Sequence, residues 1–194
     1  MSISSDLRKL RLQRAGSDYL GEYYDQIDSE KNDRGAAILA ATFLENSLEF
    51  AVSRRLPNAA RLLSKIFEND GPLSSFDAKI TIADALNIYG GVTSHNLNMI
   101  KHVRNTFAHA SIPISFQTDE VSAACETLKL PSDNPQRYRE ALPFRTPREK
   151  YTTICEVTGV EFRNYAARCV NMRADLVATR CEGQFIPIAP APLP

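Results

Sequence analysis

The chain has 194 residues, 43% of them hydrophobic and 24% charged, which suits one ordinary soluble domain able to bury its own core and leaves two domains cramped. Its 23 Lys and Arg are balanced by 23 Asp and Glu, so no global field draws it onto nucleic acid or an anionic membrane. No run approaches the roughly 18 apolar residues of a membrane span, and the opening MSISSDLRKLRLQR is polar and basic with no apolar stretch behind it, unlike a signal peptide; a cytoplasmic protein without a membrane partner is expected.

Residues 1–17 read as a basic N-terminal segment, 18–181 as a single helical-bundle domain, and 182–194 as a Pro-rich extended tail. From Tyr19 to Ile27 the apolar residues Tyr19, Leu20, Tyr23, Tyr24 and Ile27 fall at helical spacing amid acids, predicting a short amphipathic helix. A second helix should start near Asp33 and run to Leu56, where Pro57 interrupts, with Ala37, Ala41, Leu44, Leu48 and Val52 on one stripe. A shorter apolar segment covers Ala60 to Phe67. After the turn Asn69-Asp70-Gly71-Pro72, Ser74 or Ser75 caps a helix with Phe76, Ile80, Ala83 and Leu86 inward, which Gly90-Gly91 should end.

The next helix spans about Ser94 to His109 or Ala110, with Pro113 marking its exit. Ile112 to Phe116 reads as a connector. Thr118, followed by Asp119 and Glu120, is a good start for a helix reaching about Leu130. Pro131 to Thr146 is a loop, and Thr146-Pro147-Arg148-Glu149 is a capping box with proline at the first helical position. From it Tyr151, Ile154, Thr158, Phe162, Tyr165, Cys169, Met172 and Leu176 step by three or four toward Cys181. That predicts a helix of roughly 50 Å, with Gly159 as the point for a kink, long enough to span the bundle or pair with a second subunit. The fold class is therefore all-α: a single-domain helical bundle with a long C-terminal helix.

Cys125, Cys155, Cys169 and Cys181 are widely spaced and read as buried free thiols. His95, His102 and His109 repeat every seven residues, about 10.5 Å apart along a helix, too far for one metal ion to bridge, and no metal or cofactor is expected. The basic clusters Arg8, Lys9, Arg11, Arg14 and Arg137, Arg139, Arg145, Arg148, Lys150 are diluted by acids and read as solvated faces.

One string carries potential chemistry: Arg104-Asn105-Thr106-Phe107-Ala108-His109. Arg104 falls within the stripe of Leu97, Ile100, Phe107 and Ala108, so its guanidinium points inward and calls for an anion. Glu45, inside the stripe of Ala41, Leu48 and Val52, supplies one. In one reading Glu45 and Arg104 form a structural ion pair that fixes the bundle's register. In the other, Arg104 stabilises a phosphorane and His109 moves protons during metal-free RNA cleavage. Five residues of regular helix separate these two by about 140°, so a working pair needs the helix to unwind near Ala108 or a second subunit to complete the site. P-loop, GxGxxG, GxSxG and HExxH motifs are missing.

From Asp33 to about Leu130 the chain resembles the mannitol operon repressor family, through DRGAAILAATFLENSLEFAV, GPLSSFDAKITIADALNIYG and IKHVRNTFAHASIPISFQTDEV. That resemblance implies an all-helical transcriptional regulator acting through protein–protein contacts without its own DNA-binding module, in keeping with the absence of a base-reading helix-turn-helix. RNTFAH also looks like the Arg-x4-His signature of HEPN domains. That second resemblance implies a dimeric, metal-independent endoribonuclease of the toxin or defence type, with Arg104 on the scissile phosphate, Asn105 as the polar residue after it, His109 as the catalytic histidine and Glu45 carried over from its place in the LEN helix. The partners expected are thus a protein, a second copy of the chain in a homodimer, and RNA under the nuclease reading.

Overall fold

The computed structural model describes residues 20–56, 59–68, 70–130 and 143–180. Among these there are seven helices and no strand: α1 (Leu20–Ser29), α2 (Asp33–Arg55), α3 (Ala59–Phe67), α4 (Phe76–Ala85), α5 (Gly91–His109), α6 (Asp119–Glu126) and α7 (Pro147–Arg180). The basic segment 1–17, the tail 182–194, Cys181, Arg137, Arg139 and the side chains of Met172 and Leu176 lie outside the described residues.

α2 is the axis of the bundle. Asn32 caps it, its side-chain oxygen accepting from the N–H groups of Arg34 and Gly35 at 2.8 and 3.3 Å. The expected stripe Ala37, Ala41, Leu44, Leu48 and Val52 is fully buried, and so is a second one, Ala36, Ala40, Phe43, Ser47 and Ala51. Four alanines in the first nine residues let neighbouring helices close in from both sides. The same composition makes α2 the described helix long and apolar enough to cross a bilayer by length and hydropathy, yet 61% of that window is buried inside the bundle. Core membership accounts for its apolarity.

α7 lies beside α2 and runs in the same direction. Arg148 meets Asp33 at 3.0 Å, the Tyr151 hydroxyl reaches the Ala37 carbonyl at 3.3 Å, Gly159 faces the Phe43 ring, and Arg163 Nε donates to Ser47 Oγ at 3.0 Å. α5 runs the other way, Arg104 meeting Glu45 and Arg34 meeting the Ala110 carbonyl. Tyr151 is wholly buried, its ring against Phe116 and Phe116 against Phe107, at centroid distances of 5.3 and 4.9 Å.

Several boundaries differ from the sequence reading, each for a local reason. α4 ends at Ala85 and not at Gly90-Gly91, because Asn87 takes a left-handed φ of 51°. The Asn87 N–H then bonds to the Asp84 carbonyl and the Ile88 N–H to that of Ala83, a Schellman closure with Ile88 buried behind it. Gly90 and Gly91 instead open α5, as N-cap and first residue. Ser75 caps α4 through the Ala78 N–H, as the sequence suggests. At α6, Thr118 precedes the first turn but its hydroxyl accepts from Ser115 N–H, leaving no side-chain cap. That helix stops at Glu126 and does not reach Leu130. Buried Asn96 of α5 clamps the Lys129 backbone instead, donating to its carbonyl at 2.6 Å and accepting its N–H at 3.1 Å. The capping box of α7 forms with a shift: Thr146 Oγ1 accepts from Glu149 N–H, but the Glu149 carboxylate takes the N–H of Arg145, one residue before the cap.

The Asn87 closure yields a test. A left-handed conformation costs an alanine about 1 kcal/mol and a glycine almost nothing. Asn87→Ala should lower the unfolding free energy in urea by about 1 kcal/mol, while Asn87→Gly leaves it level or slightly higher. Equal losses from both would show that the Asn87 side chain, and not its backbone, holds the turn.

Candidate functional site: an ionic cluster across three helices

On α2, Glu45 and Glu49 are one helical turn apart and therefore share a face. On α4, Lys79 stands between Phe76, Ile80 and Ala83, all buried, so its stem is drawn into the core and its ammonium meets the α2 carboxylates. Lys79 Nζ lies 2.7 Å from Glu45 Oε1 and 2.9 Å from Glu49 Oε2. From α5, Arg104 Nη2 donates to Glu45 Oε2 at 2.9 Å, and Nη1 donates to Asn105 Oδ1 at 3.0 Å. Each oxygen of Glu45 thus serves a different cation from a different helix. The side chains of Lys79 and Glu45 are 6% and 13% exposed, whereas Arg104 keeps 28%. Two carboxylates and two cations sum to zero, as burial in a low-dielectric interior requires.

Glu45, Arg104 and Asn105 are therefore brought together, and His109 is not among them. α5 stays helical through His109, with the Ala110 N–H still closing onto the Thr106 carbonyl at 2.9 Å. The unwinding near Ala108 that would swing His109 toward Arg104 does not occur. His109 is exposed at the last turn, about 140° around the helix from Arg104. The segment after it is pinned: Arg34 Nη2 donates to the Ala110 carbonyl at 3.0 Å, and Asp33 Oδ2 accepts the Phe116 N–H at 2.9 Å.

Lys79 and Glu49 are the members of the cluster that sequence reasoning missed, and Lys79 is the one whose pattern announced it. It occupies an inward position of α4 by the same spacing that singled out Arg104 on α5, so the signal was available. Arg148 and Lys150, counted above as a solvated face, are tertiary ties. Arg148 pairs with Asp33 and donates to the Glu30 and Lys31 carbonyls, and Lys150 pairs with Glu126 at 3.0 Å.

His95 donates to or accepts from Thr127 Oγ1 at 3.2 Å, and His102 is exposed. Among the described residues no three His, Cys, Asp or Glu side chains gather into a set that could hold a metal ion. Cys125, Cys155 and Cys169 are buried free thiols. Burial pushes the Cys125 thiol up to about 12 and the Cys155 thiol well above its ordinary value, which suppresses the thiolate that a nucleophile requires.

No protein-family model, curated protein or solved structure matches this chain.

Proposed function

We propose that this protein is a mannitol-repressor-like regulator, cytoplasmic and homodimeric, that acts through protein–protein contacts without a DNA-reading module of its own. The observation that carries the reading is the engagement of Arg104: its charge is met by Glu45 at 2.9 Å in a cluster that also neutralises Lys79. An arginine so compensated exerts little pull on a phosphate. The zero formal charge and the stretch of family-like sequence running from α2 through α6 support the same reading.

The alternative is a HEPN-type metal-independent endoribonuclease. What favours it is the exposure of His109 at the end of α5 together with the 28% of the Arg104 side chain that stays open. In that case a second copy must bring its own His109 or Arg104 across an interface, since one chain does not join them.

Cleavage of a mixed cellular RNA pool in excess chelator decides between the two, with His109→Ala prepared identically. The regulator reading expects no cleavage by either protein and unchanged thermal stability in the variant, because His109 is exposed. Cleavage by the parent alone, leaving 2′,3′-cyclic phosphate ends, overturns it.

A further inference from the structure

The start of α7 holds a cavity of about 230 Å³, smaller than the roughly 300–1,000 Å³ of a pocket for a drug-sized ligand and suited to one or two apolar side chains. Pro143, Phe144 and Pro147 line it, together with Arg145, Lys150 and Glu126 of α6. Its walls are fixed by tertiary bonds. Lys150 Nζ donates to the Glu126 carboxylate at 3.0 Å and to the Glu126 carbonyl at 2.8 Å, and the Arg145 N–H is held by Glu149 at 2.8 Å. Phe144 is half-buried against the core, while Pro143, Arg145 and Thr146 are exposed. The mouth therefore opens to solvent and carries a cation. An aromatic ring set between prolines, held in place beforehand, is the kind of surface on which proline-rich segments pack at low entropic cost.

This chain carries such a segment. Beyond Glu182, residues 183–194 hold four prolines and no charge, in a sequence that is 24% charged as a whole. Phe185, Ile186, Ile188 and Leu193 are apolar enough to gain from being covered. Pro187-Ile188-Ala189-Pro190 spaces two prolines by three residues, one turn of a polyproline helix, so both fall on one side of it. The charge that precedes the run, Glu182, is opposite in sign to Arg145 at the cavity mouth.

Length decides whose cavity the segment can enter. α7 runs from Pro147 to Arg180, about 50 Å at 1.5 Å per residue. Pro190 is ten residues past Arg180 and reaches at most about 36 Å when fully extended. The chain's own cavity is out of range. We infer that residues 182–194 of one copy dock in the cavity at the start of α7 of a second copy, an inference that rests on the homodimeric part of the reading above. The cavity and the departure of the tail lie at opposite ends of α7, so two copies with their α7 helices antiparallel exchange tails reciprocally. That arrangement closes at two chains, whereas a parallel one would leave a free tail and a free cavity for further growth.

Photo-cross-linking in the full chain tests the contact. A copy bearing a benzophenone side chain at position Ile188 is mixed with an equal amount of ¹⁵N-labelled parent, irradiated, and its adducts are mapped by mass spectrometry. Adducts should join the probe to residues 143–150 of the labelled copy. An excess of synthetic peptide spanning 182–194 should cut their yield at least about tenfold, and the same peptide carrying Phe185→Ser and Ile186→Ser should not. Phe144→Ala should weaken self-association in sedimentation by about tenfold or more, equivalent to about 1.4 kcal/mol. Adducts within one copy, adducts outside 143–150, or a yield indifferent to the peptide would each overturn the inference. If the parent sediments as a dimer while its adducts fall elsewhere, the homodimeric reading stands without the tail exchange. A monomeric parent without adducts removes both.

Discussion

Replacing Glu45 by alanine should cost about 3–5 kcal/mol of folding stability, the range for breaking a buried ionic contact by removing one partner. That is a large share of a total of roughly 5–15 kcal/mol, and it should lower the melting temperature by about 10 °C in a chain of this size. The reason is arithmetic within the cluster: without Glu45, Lys79 and Arg104 are left with Glu49 as the remaining carboxylate of the group. The two cations do not suffer equally. Lys79 is 6% exposed and Arg104 28%, so water can rescue the arginine but not the lysine. Alanine at 79 should therefore destabilise more than alanine at 104. A double-mutant cycle by urea denaturation should give a larger coupling for Glu45–Lys79 than for Glu45–Arg104. No coupling in either cycle would mean that the cluster contributes nothing through its charges.

The second large effect is at Gly159. A methyl group there would stand 2.4 Å from Phe43 Cε1 and 2.9 Å from Cδ1, inside any real carbon–carbon contact. Phe43 has little room to give way, since it is 2% exposed and bracketed by Tyr23, Tyr24 and Arg163. Alanine is the better helix former by about 1 kcal/mol, but overpacking a filled core costs typically 1–3 kcal/mol and more where a ring is wedged. We expect Gly159→Ala to lose about 2 kcal/mol net. Phe43→Leu alone should be destabilising too, through lost packing. Combined with Gly159→Ala it should cost clearly less than the two single losses added, and strict additivity would show that the methyl and the ring do not meet.

The all-α class, the span of α2, the Ser75 cap and the start of α7 were legible because each is written in a few consecutive residues: a period of three or four, or a hydroxyl before a first turn. The inward charges on α2 and α5 were legible too, since Glu45 and Arg104 sit inside apolar stripes. What escaped the sequence depends on partners. Ala36 and Ala40 are too small to announce a second buried face, which exists because α7 approaches there. Gly159 reads as a weak point of a helix until the Phe43 ring is placed against it. Gly90-Gly91 was the stop signal that stood out, and the helix ended earlier because the Asn87 turn lets Ile88 be buried behind it. The reach of α6 was cut short by Asn96, thirty-three residues earlier in the chain.

The side-by-side pairing of α2 and α7 joins residues 114 to 116 positions apart, and it is a consequence for the order of assembly. α2 emerges with two apolar faces well before α7, which covers one of them, is made. At typical elongation rates of about 5–20 residues per second, α2 waits some seconds for its mate. Over that interval α4 and α5 can already close on the opposite face, because their contacts with α2 span shorter loops. The ionic cluster belongs to this early half. Its charges choose the seating of α2 against α4 and α5 before the hydrophobic seam with α7 exists to enforce it.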